Sequence, residues 1–224
     1  MCSGRVDPVM VIDAFLHGAD GVFVGACLRG ECHYSTGNLE AEGKMLLTQK
    51  ILKHLGINPE RLVMRWMSSA EGAKFVRFAT EFQGTIKELG PLRGSEGLAP
   101  EEIDLKLRAA KLVVESKKVR WVVGKRTEFL TDGNLYGEIF TDHEIHRLFE
   151  EVVLDECIIQ EILMRTMEKP HTVQALSERL SLPKYKVLRH LADMRRMGLV
   201  RTAGFDNNSP LWQAGETQTA ILTK

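Results

Sequence analysis

The first ninety residues alternate short apolar runs with segments of helical periodicity, and this alternation restricts the fold more than any other feature. Apolar runs at 21–26 and 62–67 have the length and composition of buried strands. Helical segments lie at 8–17, 39–55 and 68–89. Strands that alternate with helices form parallel sheets with right-handed crossovers. The pattern therefore predicts a small α/β domain with a parallel sheet over residues 1–90.

Three helix starts in this region carry end signals. Asp7 followed by Pro8 is an N-cap residue with proline at the first helical position. Ser68 and Glu71 have the spacing of a capping box. Asn38 precedes the segment 39–55, and we expect its side chain to cap that helix.

The rest of the chain passes from glycine- and proline-rich sequence to continuous helical periodicity. Residues 91–141 are predicted to be a linker or extension, with an amphipathic helix at 101–118 and a strand at 119–123. The pattern over 142–224 predicts a long helix, two short helices and a hairpin, which is the order of a winged helix-turn-helix. The predicted fold is therefore a parallel-sheet α/β domain at 1–90 followed by a mostly helical, winged-helix-like domain.

Composition excludes several classes of protein. Hydrophobic residues make up 44% of the chain, charged residues 27%, and the formal net charge is zero, so the chain is not intrinsically disordered. It has no apolar run of about 18 residues and no signal-peptide pattern, which predicts a cytoplasmic protein without a membrane span. Zero net charge argues against a surface built wholly for nucleic acid but permits a local basic patch.

Three cysteines are predicted to meet at one edge of the sheet. Cys27 follows the run 21–26, Cys32 lies beyond it in a C-x4-C loop, and Cys2 would follow a strand supplied upstream. Ligands bind such sheets at the carboxyl ends of the strands, and a C-x4-C loop is among the spacings that hold a 2Fe–2S cluster. In a reducing compartment, cysteines are more often ligands or free thiols than disulfides. By spacing alone, a cluster and three ordinary buried thiols both stay open.

Several blocks of sequence, in order, resemble one known family. They are CSGRVDP at 2–8, GADGV at 18–22, the C-x4-C-H-Y segment at 27–34, GN at 37–38 and WMSSAEG at 66–72. Together they resemble the delta subunit of methyl-viologen-reducing hydrogenase, over roughly residues 1–90. The resemblance implies a 2Fe–2S protein that takes electrons from a hydrogenase, a formate dehydrogenase or another donor module. It implies as receiver the flavin- and iron–sulfur-containing A subunit of heterodisulfide-reductase-type complexes, where flavin-based electron bifurcation occurs.

The resemblance also assigns roles to residues of this sequence. Cys2, Cys27 and Cys32 would be thiolate ligands of the cluster. Arg5 and His33 would be donors or charges just outside the ligands that tune the cluster potential. Surface or capping roles for these two residues are an equal alternative.

Two departures from the family pattern matter. Family members usually carry a cysteine-containing segment and a strand before the Cys-Ser-Gly-Arg motif. We therefore expect the fourth ligand from a separate chain, or from an upstream segment lost to a late start or to a selenocysteine codon read as a stop. Leu28 stands where the family usually has a histidine, which changes the polar surroundings expected for the cluster.

The remaining candidate ligands are weaker. Cys157 lies among apolar residues of the predicted helix 142–168, which favours a core thiol. His143 and His146 share one helix face, but two imidazoles alone do not make a metal site, so we expect solvated or interface residues. No hydrolase, P-loop or dinucleotide signature follows a strand, and no catalytic residue is assigned.

The predicted winged-helix domain carries a cluster of basic residues on or near its second short helix. They are Lys184, Lys186, Arg189, His190, Arg195 and Arg196, with Arg201 at the wing. Such a helix could enter a DNA major groove. The positive excess over residues 151–224 is slight, which favours a protein-docking module. The alternative function of the chain is that of an iron–sulfur redox-sensing DNA-binding regulator, with nucleic acid the less favoured partner.

Overall fold

The computed structural model describes residues 2–215 of the 224-residue chain. These residues divide into two compact units, and the division falls between Leu154 and Asp155, inside one long helix. Within the described range, no helix is both long enough and apolar enough to cross a bilayer.

The N-terminal unit contains a two-stranded parallel sheet with helices around it. Strand β1 (Val22–Ala26) pairs with β2 (Leu62–Trp66), with Val22 opposite Leu62 and Ala26 opposite Trp66. The helices are α1 (Pro8–Leu16), α2 (Gly37–His54), α3 (Gly72–Leu89), the short α4 (Leu92–Ser95), α5 (Pro100–Glu115), α6 (Lys117–Thr131) and the start of α7 (Asp142–Glu168). The predicted α/β class and the parallel strand pairing are confirmed.

Two of the predicted helix-end signals are present in the structure. The Asp7 carboxylate accepts a hydrogen bond from the Val9 amide at 3.0 Å, and Pro8 opens α1. Before α3, the Glu71 carboxylate accepts from the Ser68 amide at 2.7 Å, while the Ser68 hydroxyl accepts from the Ala70 amide at 3.3 Å. Side chains thus satisfy amides that the helices leave unpaired at their N-termini.

The predicted strand at 119–123 is wrong, because this segment lies inside α6. The Ser116 hydroxyl accepts a hydrogen bond from the Val119 amide at 3.2 Å and so caps the helix. Val119, Val122 and Val123 are buried at helical spacing, whereas Trp121 between them is 58% exposed. Tertiary packing on one helix face has outweighed the preference of valine for strands.

A buried arginine links β2 to the chain that follows α3. The Arg61 side chain is fully buried and forms an ion pair with Glu96, which is itself nearly buried. Its Nη1 atom donates at 2.9 Å to the carbonyl oxygens of Asp20 and Gly90. The charge is therefore paired and its donors are used, as burial of a guanidinium requires.

The C-terminal unit contains the end of α7, then α8 (Val173–Leu180), α9 (Lys184–Arg196), β3 (Val200–Asp206) and β4 (Ser209–Ala214). The two strands are antiparallel and joined at Asn207 and Asn208, which both have positive φ. One apolar cluster fills the unit, and its members include Ile162, Leu176, Val187, Leu191, Met194 and Trp212. The predicted winged-helix architecture is confirmed.

Candidate functional site

The structure brings Cys2, Cys27 and Cys32 together at the carboxyl end of β1. Cys27 directly follows β1, and Cys32 ends the loop that begins there. Cys2 precedes a 3-10 turn at Ser3–Arg5. The Sγ atoms of Cys2 and Cys32 are 3.7 Å apart, and the Cys27 thiol is within hydrogen-bonding reach of Cys32. Sulfurs that are far apart in the sequence thus share one small region.

The three thiols perturb one another's ionisation. Burial raises the pKa of the Cys27 thiol, and the adjacent Cys32 and Cys2 thiols raise it further. Burial also opposes ionisation of Cys32, but the backbone N–H groups of Tyr34 and Asn38, together with the neighbouring thiols, hold the pKa of Cys32 below its usual value. The start of α2 therefore favours negative charge on Cys32, and the thiolate is the form of cysteine that binds metal.

Two glycines make the approach of Cys2 to Cys32 sterically possible. A methyl group at Gly37 would lie 2.5 Å from the Cys2 sulfur and 3.3 Å from the Cys32 sulfur. A methyl group at Gly4 would lie 2.6 Å from the Gly37 carbonyl oxygen. The Gly4 amide also donates to the Cys2 sulfur at 3.4 Å. Any side chain at Gly37 would displace the two sulfurs.

Asn38 holds the cysteine loop and does not cap α2, so the predicted cap is wrong. The helix begins at Gly37, preceded by Thr36, and Asn38 is fully buried within the first turn. Its Nδ2 atom donates to the carbonyl oxygens of Cys27, at 3.1 Å, and Leu28, at 2.8 Å. The side chain found partners ten residues earlier in the chain, which local sequence rules do not anticipate.

Arg5 and His33 are both exposed, and residues 2–215 show no hydrogen bond from either side chain to a cysteine sulfur. The His33 ring instead stands edge-on to Tyr34, with the ring centroids 5.1 Å apart. Their proposed influence on a cluster potential stays a prediction.

Sequence reasoning missed Arg29, the cation of the Cys27–Cys32 loop. Its guanidinium lies 5.1 Å from the ring centroid of Trp66, at the end of β2, and forms an ion pair with Glu42 on α2. The arginine thereby ties the loop to two elements. Its position between the two cysteines was the only signal in the sequence.

A cleft of about 560 Å³ opens beside Cys27 at the carboxyl ends of both strands. Its walls include Met67 and Phe75, and Phe75 is 50% exposed at the start of α3. Helix α3 as a whole contains no buried residue. The edge of the sheet that carries Cys27 is therefore open to a partner.

Among residues 2–215, no three His, Cys, Asp or Glu side chains surround a point where a single metal ion could bind. A two-iron cluster makes a different demand, since each iron takes two protein ligands. Tetrahedral bonds of about 2.3 Å place two thiolate sulfurs about 3.8 Å apart. The 3.7 Å between the Cys2 and Cys32 sulfurs fits a pair on one iron. The donor set is thus compatible with an iron–sulfur cluster.

The other predicted residues lie in different settings. Cys157 is fully buried in α7, as expected for a core thiol. His143 and His146 are exposed near the start of the same helix. None of these three takes part in the cysteine cluster in the described geometry.

The outer face of α9 in the C-terminal unit is basic and partly apolar. Its exposed cationic residues are Lys184, Lys186, Arg189, Arg195 and Arg196, and Arg201 is exposed on β3. His190 is mostly buried, with Nε2 4.0 Å from the Asp155 carboxylate. Tyr185 and Leu188 are 69% and 49% exposed on the same helix. This face mixes phosphate-binding side chains with apolar ones that suit a protein surface.

Two families match different parts of the chain. Residues 1–90 match the family described as methyl-viologen-reducing hydrogenase, delta subunit. Residues 160–202 match the family described as bacterial regulatory protein, arsR family. The second match covers the helices and the first part of the hairpin of the winged-helix unit.

Individual relatives match the N-terminal part. The iron-sulfur subunit of the F420-non-reducing hydrogenase of Archaeoglobus profundus is 49% identical over 92 residues, which cover 41% of this chain and 67% of the relative. The corresponding iron-sulfur subunit of the vhc hydrogenase of Methanococcus voltae is 42% identical over 91 residues, or 41% of this chain and 63% of the relative.

A relative of a different kind is the A subunit of the ferredoxin:CoB-CoM heterodisulfide reductase of Methanosarcina mazei. It is 45% identical over 96 residues, which cover 43% of this chain but only 12% of that much longer protein. Matching family, identity and coverage agree on the same segment. Through residues 1–90, the chain belongs to the family of the methyl-viologen-reducing hydrogenase delta subunit.

Proposed function

We propose that this chain is an electron-transfer subunit that holds a 2Fe–2S cluster through Cys2, Cys27 and Cys32. The observation that supports this most strongly is the convergence of the three sulfurs at the carboxyl end of β1, with Cys2 and Cys32 3.7 Å apart. The hydrogenase relatives are named iron-sulfur subunits. The structure supports ligation by these three cysteines, and the two-iron type follows from the C-x4-C loop and the pairing of two sulfurs.

The chain's own groups prepare the site for a charged cluster. Backbone amides of Gly4, Tyr34 and Asn38 point to cysteine sulfurs and stabilise negative charge on them. A bound iron–sulfur cluster would supply one-electron oxidation and reduction. Amide hydrogen bonds favour the more negative, reduced form and so raise the reduction potential.

A fourth ligand completes the cluster, and we propose that another polypeptide supplies it. The remaining cysteine, Cys157, is fully buried in α7 and suits a packing role. A ligand from a partner would make cluster loading depend on assembly. We place this assembly in the cytoplasm, where a reducing environment keeps thiols available to iron.

We propose that the partner is a flavin- and iron–sulfur-containing reductase subunit. In the Methanosarcina mazei relative, the matching segment forms part of the A subunit of heterodisulfide reductase itself. A domain that is covalently joined to a protein in one organism works beside that protein, so the free domain should dock on its counterpart. The donor would be a hydrogenase or formate dehydrogenase module, and flavin-based bifurcation would occur in the partner.

A second candidate function is that of a redox-sensing DNA-binding regulator. The arsR-family match and the exposed cations of α9 favour it. The exposed Tyr185 and Leu188 on the same face favour protein docking instead. We therefore propose docking as the main role of the winged-helix unit.

Affinity purification of the tagged full chain under anaerobic conditions distinguishes the two functions. The electron-transfer proposal predicts stoichiometric copurification of a flavoprotein together with iron and acid-labile sulfide. A homodimer without flavoprotein, whose DNA affinity falls steeply with added salt, would favour the regulator and contradict the proposal.

A further inference from the structure

The turn that carries Cys2 is attached to helix α2 by three contacts. Gly4 packs against the Gly37 carbonyl so closely that no side chain fits between them. The Cys2 sulfur lies against the Cα of Gly37. The Lys44 ammonium donates to the Gly4 carbonyl oxygen at 2.7 Å. Lys44 follows Gly37 by seven residues, or two helical turns, so all three contacts lie on one face of α2.

Cys27 and Cys32 depend on this attachment much less than Cys2 does. They share one loop, which Asn38 and Arg29 hold to α2 and β2. Cys2 is thirty positions away from Cys32 in the sequence, and their meeting depends on the docking of the turn. The site is therefore a preformed pair of thiols joined by a third through tertiary contact.

Backbone conformation does not explain why residue 37 is glycine. Gly37 is not among the residues with positive φ in the described chain, and it lies in the first turn of α2. Alanine would favour the helix over glycine at such a position. The missing Cβ is needed where the Cys2 and Cys32 sulfurs approach the helix.

We propose that Gly37 and Lys44 are positioning residues that recruit Cys2 to the Cys27–Cys32 loop. The consequence for a cluster rests on the proposed function, whereas the positioning itself does not. Gly37 leaves room for the two sulfurs, and Lys44 holds the turn through the Gly4 carbonyl. Loss of either contact leaves a two-thiol loop and separates Cys2 from it.

Disulfide formation in the metal-free protein measures this positioning directly. In full-length protein with Cys27→Ser and Cys157→Ser, Cys2 and Cys32 are the remaining thiols. Diamide accepts the two electrons and two protons that the thiols release as the disulfide forms. We expect Gly37→Ala and Lys44→Met each to slow this reaction by about tenfold or more, since the local thiol concentration falls.

Two matched controls separate positioning from general effects. Gly84→Ala places a methyl group on α3 where nothing lies within 4 Å, and it should leave the rate unchanged. Lys44→Arg keeps a cationic donor and should restore most of the rate. If Gly37→Ala reacts as fast as Gly84→Ala, the role of Gly37 is refuted. If Gly37→Ala loses its helical circular dichroism, the Lys44 pair decides, and equal rates for Lys44→Met and Lys44→Arg refute the proposal.

Iron loading of the unsubstituted chain separates this inference from the proposed function. Slow disulfide formation in the variants, combined with no iron in the intact protein, would support positioning and contradict the cluster. Unchanged disulfide rates in a chain that does bind iron and sulfide would have the opposite meaning.

Discussion

The cysteine-bearing edge of the N-terminal unit and the core of the C-terminal unit are stabilised in different ways. In the C-terminal unit, one continuous apolar cluster fills the space between three helices and a hairpin. At the cysteine edge, a few contacts at Gly37, Asn38 and Lys44 fix the sulfurs. The comparison teaches that apolar periodicity determines a core, whereas the site depends on single atoms, or their absence, at individual positions.

The same substitution in the two regions should have opposite consequences, and this is the largest expected effect. Cys32→Ser removes a half-buried thiol at the cysteine edge and should abolish iron and sulfide binding while the protein stays folded. Cys157→Ser should retain iron but destabilise the C-terminal unit by about 1–3 kcal/mol, because it buries a hydroxyl. Iron analysis and hydrogen exchange measure the two effects. Equal iron loss in both variants would contradict the comparison.

A cavity in the apolar core should destabilise only the C-terminal unit. Leu191 is fully buried on α9, and Leu191→Ala should lower the local free energy of unfolding by about 2–5 kcal/mol. Hydrogen exchange in α8, α9 and β3 would report the loss. Leu188→Ala on the exposed face of α9 is the matched control and should change stability by about 0.5 kcal/mol or less.

Removal of the Asn38 side chain should loosen the cysteine loop. Asn38→Ala leaves the Cys27 and Leu28 carbonyl oxygens without their donor, at a cost of about 1–3 kcal/mol. Hydrogen exchange at 27–36 should accelerate. Thr36→Ala removes a side chain that makes no capping hydrogen bond, so a change within about 0.5 kcal/mol is expected. A larger effect at Thr36 than at Asn38 would restore the capping interpretation.

The smallest expected effect is a pH dependence in the C-terminal unit alone. Burial first, and then the nearby cations Arg179, Lys169 and Arg165, lower the pKa of His171. The folded unit therefore binds fewer protons than the unfolded chain near pH 6.5, the ordinary histidine value. Its stability contribution is complete above that pH and is lost as the pH falls below it.

Unfolding of the C-terminal unit between about pH 7.5 and about pH 5.5 tests this dependence. Hydrogen exchange should show progressive destabilisation of β4, whose Trp212 pairs with the His171 backbone. His171→Gln should give a flatter profile. A profile that is identical in both proteins would show that His171 is not responsible.

Much of the fold could be predicted from the sequence because it follows from periodicity and end signals. Strands β1 and β2 are short apolar runs, and the winged-helix unit shows helical spacing and a turn at Asn207 and Asn208. The prediction failed at 119–123, where an apolar, β-branched run packs one face of a helix. Short runs of this kind are ambiguous until their tertiary contacts are known.

The site could be predicted only in part. The position of Cys27 after β1 and the short loop to Cys32 followed from parallel-sheet geometry. The role of Asn38 did not, because its partners are carbonyls at the other end of the loop. The need for glycine at residue 37 depends on two sulfurs that approach it from different segments, and no local pattern encodes such an approach.

Iron K-edge X-ray absorption on the anaerobically reconstituted full chain tests the central claim most directly. The account predicts iron with a predominantly sulfur coordination shell and an iron–iron scattering contribution, both lost in Cys2→Ser, Cys27→Ser and Cys32→Ser. Iron with only oxygen and nitrogen neighbours, or a sulfur shell that survives all three substitutions, would contradict it.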